Sequence, residues 1–240
     1  SMPVLAGSPV VTLRHASARP YDAAIAAART CYAPRVIGAE EVTPAQRETI
    51  GPLTFEGGHH TVWQHAHFEF GLENVSRQFV WSFLHSHPFY NSEQSSQRFV
   101  RLDEARALVP EGLSGEARAV YEGAVEAAWE SYRRLTLLLK QDTLRIVSEL
   151  RHLTPNASDK RRKKVEREAE KKAIETARYV IPVAAFTSMV HTVSGIVLHR
   201  LHRMMRTGDQ SLYPRMELFV SGVWLSALAA IILAVLAFET

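Results

Sequence analysis

The spacing of apolar and polar residues changes along the chain, and each change predicts a different element. Residues 10–15 (VVTLRH) favour a first or edge strand. Residues 20–29 favour a helix, because a proline suits the first turn and five alanines follow it. The sequence Thr-Pro-Ala-Gln at 43–46 combines a capping residue, a first-turn proline and a glutamine that can reach back. It predicts a second helix that ends near Phe55.

Residues 57–98 carry the most varied pattern in the chain. After a Gly-Gly turn signal, residues 61–65 are long enough for one helical turn. Apolar residues alternate with polar ones over 66–72, which predicts a half-buried strand. Apolar residues then recur every four positions over 75–83, which predicts a helix with one apolar face. Pro88 is expected to end that helix.

The rest of the chain is dominated by helical periods. Residues 116–150 show apolar residues at helical spacing, and a Thr-Pro-Asn break follows at 154–156. Ser158 or Asp159 then caps a highly charged helix. Residues 182–205 are predicted to form another helix. The fold class is therefore α+β, with a small mixed or antiparallel sheet from the first hundred residues packed against long helices.

Residues 218–238 form an uncharged apolar segment near the C terminus. It is long enough to span a bilayer as a helix. Three placements remain open: a membrane anchor, burial in an oligomer, or a terminus unrelated to the preceding domain. We favour burial in an oligomer, with membrane contact as the alternative.

Composition excludes several classes of protein. A chain of 240 residues with 46% hydrophobic and 22% charged residues is an ordinary globular sequence. The net charge is only +3, and the basic run at 160–164 is followed by glutamates, so we expect a solvated helix and no nucleic-acid partner. Because Cys31 is the single cysteine, an internal disulfide is excluded. We interpret Cys31 as a small residue packed in a helix and not as a catalytic residue. No secretory signal is visible, and a cytoplasmic location is expected.

Histidines are concentrated in one part of the chain, together with two arginines. Six of the eleven lie between residues 57 and 98, namely His59, His60, His65, His67, His85 and His87. Arginine and neutral imidazole groups on turns suit recognition of a polar, anionic ligand. Further on, His199 and His202 have a spacing that puts them on one helix face, but no acidic residue at helical spacing offers a third ligand. No metal site is predicted.

The run GHHTVWQHAHFEFGLENVSR resembles the opening of the flavin-dependent thymidylate synthases, the ThyX family. Later pieces agree in order. Ser96-Gln97-Arg98 resembles the end of the family signature, residues 177–182 (ARYVIP) resemble its Ala-Arg-x-Val-Leu-Pro, and Thr187 falls where the family has a threonine. The resemblance covers roughly residues 10–210, and it implies one catalytic domain over residues 1–217.

The resemblance implies reductive methylation of dUMP to dTMP. Methylenetetrahydrofolate would supply the carbon, and FAD, after reduction by NADPH, would supply the hydride. The resemblance also implies a homotetramer with active sites between subunits. No residue is assigned with certainty as catalytic. The positions that match flavin contacts of the family are His59, Thr61, Gln64, His85, His87 and Ser194. The positions that match nucleotide contacts are Glu93, Ser96, Gln97, Arg98, Arg178 and Arg206.

The chain departs from the family pattern at the signature's Arg-His-Arg. Counted forward from Arg77, this triplet falls on residues 85–87, and counted back from Arg98 it falls on 86–88. Both arginines are missing in either register. Gln64 also replaces a glutamate. Three hypotheses follow: an active thymidylate synthase with a variant site, a flavoenzyme of the same fold acting on another pyrimidine nucleotide such as UMP, and a binding or structural paralogue without catalysis.

Overall fold

A computed structural model of the chain describes residues 7–86 and 90–207, the last four without their side chains. It contains four strands and six α-helices within these residues. In chain order they are β1 (Val10–Ala16), α1 (Pro20–Thr30), α2 (Pro44–Glu56), β2 (His67–Ser76), α3 (Arg77–Leu84), β3 (Tyr90–Gln94), α4 (Gly115–Leu150), α5 (Asp159–Ala177), β4 (Phe186–Ser194) and α6 (Gly195–Thr207). Short 3-10 helices lie at Ala39–Glu41, His60–His65 and Arg178–Val180.

The strands form one four-stranded sheet in the order β1-β2-β4-β3. β1 pairs antiparallel with β2, from Val10 opposite Glu73 to Ala16 opposite Phe68, and the register shifts at a bulge after Leu13. β3 pairs antiparallel with β4. The predicted α+β fold, with a small sheet and long helices, is confirmed, but the sheet does not come from the first hundred residues alone, because β4 belongs to it.

The described residues divide into two compact units. The sheet unit comprises residues 9–75, 79–94 and 188–207, and the helical unit comprises residues 7–8, 76–78 and 95–187. The sheet unit therefore holds the four paired strands with α1, α2 and α6, whereas the helical unit holds α4 and α5.

The core of the sheet unit follows from the two-residue period of β2. Phe68, Phe70 and Leu72 point to one face and are buried, while Glu69 between them is only partly covered. Apolar residues of α3, β4 and α6 pack on this face. The buried members of this sheet core are Ala66, Phe68, Phe70, Leu72, Val75, Phe79, Val80, Phe83, Met189, Val193, Val197, Leu198 and Leu201.

The helical unit is built on the packing of α4 against α5. Val147 of α4 forms a buried cluster with Val165 and Ala169 of α5. Beside them, Arg151 and Glu168 form an ion pair with 2.6 Å between Nη2 and Oε1. The long charged helix predicted after Ser158 therefore buries one narrow apolar stripe and leaves its charges in solvent, as the sequence indicates.

Several local predictions are confirmed by the structure. Thr43 caps α2, its hydroxyl accepts a hydrogen bond from the amide of Gln46, and the Gln46 side chain accepts one from the amide of Thr43. The predicted turn at 61–65 is a 3-10 helix, and the predicted strand, α3 and α4 are all present.

The prediction of one helix over residues 182–205 is wrong in its first half. Residues 186–194 form β4, and only the part from Gly195 onward is helical. Thr187, Met189, His191 and Val193 are buried and alternate with partly covered residues, so the segment has the two-residue period of a strand. Two of these inward positions are polar, and this concealed the alternation. Strand β3 was also missed, because its sequence, YNSEQ, is polar.

Residues 208–240, which include the apolar segment 218–238, lie outside the described residues, as do His87 and Pro88. Within 7–86 and 90–207, no helix is long and apolar enough to cross a membrane.

An ion pair at the first 3-10 helix, Ala39–Glu41, gives a first prediction, on acid stability. Glu41 accepts hydrogen bonds from Arg35 (2.8 Å from Nη1) and from the amide of Gly38 (2.8 Å). These contacts, Arg35 first, lower the pKa of Glu41 to about 2. A lowered pKa contributes stability above the unfolded-state pKa, and this contribution is lost as the pH falls toward the folded-state value. The difference in unfolding midpoint between wild type and Glu41→Gln should therefore shrink between about pH 4.5 and 2. A constant difference across that range in denaturant titrations would contradict it.

Candidate functional site

A tight turn at residues 96–100 of the helical unit fixes the position of Arg98. The carbonyl oxygen of Ser96 accepts hydrogen bonds from the amides of Phe99 (3.1 Å) and Val100 (2.9 Å), and its hydroxyl accepts one from the amide of Arg98 (3.3 Å). Such hydroxyl-to-backbone bonds stabilise turns. Gln97 is buried in the same turn, and its side-chain nitrogen has no hydrogen-bond partner among the residues that the structure describes.

Glu175 on α5 gathers three cationic side chains. Its Oε1 lies 2.9 Å from Nε of Arg98, and its Oε2 lies 2.9 Å from Nζ of Lys172. Its main-chain oxygen accepts a hydrogen bond from Nε of Arg178, at 3.0 Å. The structure therefore brings together Arg98 and Arg178, two arginines that the sequence placed eighty residues apart.

Arg77 adds a further positive charge to the helical unit. The amides of Arg77 and Gln78 donate to the carbonyl oxygens of Ala185 and Val183, each at 3.0 Å, which ties the start of α3 to the segment after Arg178. The Arg77 guanidinium is half-buried, and burial together with the charge of Arg178 lowers the pKa of Arg77. Within the described part of the chain this guanidinium has no hydrogen-bond or ion-pair partner.

This arrangement suits an anion with several oxygen atoms. Arginine presents a rigid set of N–H donors that matches phosphate and carboxylate, and two guanidiniums held near each other repel unless an anion lies with them. The buried amide nitrogen of Gln97 adds a neutral donor in the same turn as Arg98. We call Ser96, Gln97, Arg98, Arg178 and Glu175 the arginine cluster.

A second group of candidate residues lies on the 3-10 helix His60–His65 of the sheet unit. Residues three apart lie on the same side of a 3-10 helix, so Thr61 and Gln64 face the same way. Both are exposed, as is His59 directly before the helix. Among the described residues, none of these three side chains has a hydrogen-bond partner, which leaves their donors and acceptors available to a ligand.

Ser194 joins this group through the backbone. The amide of Gly195 donates to the carbonyl oxygen of Ala66 at 2.9 Å, which fixes the end of β4 against the end of the 3-10 helix. A Cβ atom at Gly195 would lie 3.2 Å from that of Ala66, so this close approach favours glycine. Ser194 is buried, and its hydroxyl has no hydrogen-bond partner within the described residues. Ser194 therefore adds a buried, unpartnered hydroxyl next to the residue that fixes β4 against the end of the 3-10 helix.

Other predicted site residues lie elsewhere. His85 follows α3, where its ring packs on Trp81 (4.4 Å between centroids) and its Nδ1 lies 2.5 Å from the Trp81 carbonyl oxygen. Glu93 is exposed on β3, opposite Val190 of β4. His87 and the side chain of Arg206 are outside the described residues, so their predicted roles stay predictions.

The sheet unit also contains an apolar cavity of about 480 Å³. Tyr21, Phe55 and Trp63 line it with His199 and His202. Burial first, and then the charge of His202, lower the pKa of His199, so its ring is neutral near pH 7. The two histidines share this lining, as their spacing on α6 indicates. No group of three metal-ligating side chains lies together in residues 7–86 and 90–207.

The role of Glu175 and the half-buried state of Arg77 were not recognised from the sequence. Glu175 is one of many acidic residues in α5, and nothing in the pattern distinguishes it from its neighbours. Its spacing of three residues from both Lys172 and Arg178 is the one signal that could have identified it.

Comparison with known proteins identifies the class to which these features belong. Residues 12–210 match the family model described as thymidylate synthase complementing protein. The flavin-dependent thymidylate synthase of Clostridium tetani is 29% identical over 199 residues, covering 80% of this chain and 72% of the relative. That of Geobacter sulfurreducens is 32% identical over 145 residues, covering 58% and 60%. The chain belongs to the flavin-dependent thymidylate synthase family, as the sequence motifs indicate.

Solved structures support the fold. The UMP/dUMP methylase PolB from Streptomyces cacaoi, bound with 5-Br dUMP, has a TM-score of 0.55 and 19% identity, covering 84% of this chain and 79% of that chain. The same protein bound with 5-Br UMP has a TM-score of 0.54 and 17% identity. At these identities the likeness concerns the fold alone.

Proposed function

We propose that this protein is a flavin-dependent thymidylate synthase that methylates dUMP to dTMP, with methylenetetrahydrofolate as carbon donor and NADPH as reductant. The observation that carries the proposal is the arginine cluster, because two arginines from separate motifs of the family meet at one residue, Glu175: Arg98 at its carboxylate and Arg178 at its main-chain oxygen. A nucleotide monophosphate is the substrate class whose charge and oxygen atoms this cluster suits.

Within this proposal, Arg98 and Arg178 hold the phosphate of the nucleotide. The turn at 96–100 orients Arg98, and the bond from Nε to a main-chain oxygen orients Arg178, so both guanidiniums are largely pre-positioned. Pre-positioning lowers the entropy that ligand binding must otherwise cost. Ser96 and the unpartnered amide of Gln97 contribute neutral contacts.

His59, Thr61, Gln64 and Ser194 would hold the flavin. The signature arginines that would provide charged contacts are missing from this chain. In their place, the hydroxyl, amide and imidazole groups of these four residues offer neutral hydrogen bonds. When bound, FAD supplies the hydride chemistry, and the share of this chain is binding, orientation and exclusion of water. Neutral hydrogen bonds are weaker than charge-assisted ones, so we expect FAD to bind less tightly than it would with both signature arginines present.

The flavin assignment gives a direct prediction. Protein loaded with FAD and then freed of unbound cofactor should keep the visible absorption of flavin. Replacing Ser194 with alanine should reduce the retained fraction, because a buried hydroxyl available to the cofactor is removed. Thr136→Ala is a suitable control, since its buried hydroxyl already bonds the Tyr132 carbonyl oxygen on α4. A protein that cannot be loaded at all would contradict the flavin assignment.

UMP is the second candidate substrate. It is supported by the two structural neighbours, which are named UMP/dUMP methylases and were solved with 5-Br UMP and 5-Br dUMP. The phosphate contacts proposed above serve both nucleotides equally, because the two differ only at the ribose 2′ position.

Rescue of a thymidine-requiring bacterial strain separates the candidates in cells. The proposal predicts growth without thymidine when this chain is expressed, and loss of growth with Arg178→Met. Flavin binding without rescue would contradict dUMP methylation and favour the UMP reaction. A protein that retains neither flavin nor nucleotide would favour a paralogue without catalysis.

We also propose that the active protein is a homo-oligomer in a cytoplasmic setting, as the family resemblance implies. Light scattering of the purified protein tests the oligomer. A tetramer is the expected result, and a monomer that methylates dUMP would contradict it.

A further inference from the structure

Glu175 occupies the position where an anionic ligand of the arginine cluster would be expected to lie. Its two carboxylate oxygens take up Nε of Arg98 and Nζ of Lys172, both at 2.9 Å. Its main-chain oxygen takes up Nε of Arg178. The Glu175 side chain is only 25% exposed, which makes it less exposed than its two ion-pair partners, Arg98 and Lys172.

A carboxylate and a phosphate compete for the same donors. Both are anions whose oxygen atoms accept paired N–H bonds from a guanidinium. Arg98 already gives one of its donors to Glu175, whereas the side-chain nitrogen of Gln97 beside it has no partner within the described residues. A phosphate that uses all the donors of Arg98 must therefore remove it from Glu175.

The charge of Glu175 makes this competition electrostatic. The hydrogen bond from Lys172, with the charges of Arg98 and Arg178, lowers the pKa of Glu175, so the carboxylate is ionised at neutral pH. A bound phosphate would then face a negative charge within the same group of cations. Because the site is open to solvent, screening limits the repulsion.

We propose that Glu175 is an internal counter-anion of the nucleotide site, which the phosphate of the nucleotide displaces from Arg98. This inference rests on the proposed function, since it takes the arginine cluster as the phosphate site. Glu175 keeps Arg98 in place while no nucleotide is bound. It also weakens the binding of the phosphate, so that the product nucleotide can leave.

Calorimetric titration of the FAD-loaded protein with dUMP and with deoxyuridine tests this inference. The variant Glu175→Gln keeps one acceptor oxygen, which can bond either Arg98 or Lys172, and removes the charge. We expect its Kd for dUMP to fall by about threefold to tenfold, a typical result of removing one partly screened like charge. The Kd for deoxyuridine, which has no phosphate, should not change, and the gain for dUMP should shrink as salt is added.

Glu170→Gln is the matched control. Glu170 lies on the same helix, and its carboxylate is 3.7 Å from the exposed Arg101. The same change of charge there should leave both titrations unaltered, and thermal unfolding of both variants shows whether the fold is kept.

The outcomes are distinct. Weaker binding of dUMP by Glu175→Gln would show that Glu175 only positions Arg98. An equal increase in affinity for deoxyuridine, or an equal increase in dUMP affinity in Glu170→Gln, would show a general effect of charge. Each of these contradicts the inference and leaves the proposed function intact. A wild-type protein that binds no dUMP would contradict both.

Discussion

Replacing Arg178 with methionine should weaken dUMP binding by about tenfold to a hundredfold, since a charge-assisted hydrogen bond contributes about 1.5–3 kcal/mol. Arg178 is held by a bond from its Nε to the Glu175 carbonyl oxygen, which leaves its terminal nitrogens for a ligand. Methionine keeps an unbranched chain of similar length but has no donor. The loss should appear in the Kd of dUMP and be much smaller for deoxyuridine.

Arg167→Met provides the control for Arg178. Arg167 also donates from Nε to a main-chain oxygen, that of Lys163, but it lies on the exposed part of α5. Its replacement should change the Kd of dUMP by less than twofold, as is usual for exposed residues outside a site. Equal losses in the two variants, or no loss with Arg178→Met, would contradict the phosphate assignment.

Replacing Leu72 with alanine should lower the free energy of unfolding by about 2–5 kcal/mol, the range for a fully buried leucine. Leu72 is 0% exposed in the middle of β2 and packs in the sheet core. Its truncation removes apolar contacts and leaves a cavity. The neighbouring strand β1 cannot move to fill this cavity, because its backbone hydrogen bonds to β2 fix its register. Chemical denaturation followed by tryptophan fluorescence measures the change.

Leu150→Ala serves as the control for this core variant. Leu150 ends α4 and is 71% exposed, so the same chemical change there should cost far less. Similar losses at the two positions would show that β2 is not the centre of the sheet core. Since the sheet core also carries α6 and the end of β4, we expect Leu72→Ala to reduce flavin retention as well.

The fold was predictable where one physical signal dominated. Helix α2 was found from its capping sequence, α4 from its regular helical period, and α5 from a capping residue before a highly charged run. β4 was mistaken for helix because its inward positions include Thr187 and His191, and burial of such polar residues depends on tertiary partners that a pattern cannot supply. His191, for instance, packs against the rings of Phe83 and Tyr90 from two other elements.

The candidate site was predictable only in part, for a related reason. Motifs identified Arg98 and Arg178 separately, and in the folded chain both bond Glu175, Arg98 through its carboxylate and Arg178 through its main-chain oxygen. Glu175 itself was not identifiable, since its role depends on its contact with Arg98, in a turn that lies almost eighty residues earlier in the chain. Likewise, the orphaned hydroxyl of Ser194 becomes informative only when its burial is known.

The most direct measurement is the product formed by purified protein supplied with FAD, NADPH, methylenetetrahydrofolate and equal concentrations of dUMP and UMP. Mass spectrometry distinguishes the two methylated nucleotides. We expect dTMP as the main product, and we expect Arg178→Met nearly to abolish its formation at low dUMP concentration. Methylation of UMP alone, or bound flavin and dUMP without any methylated product, would contradict the proposed reaction.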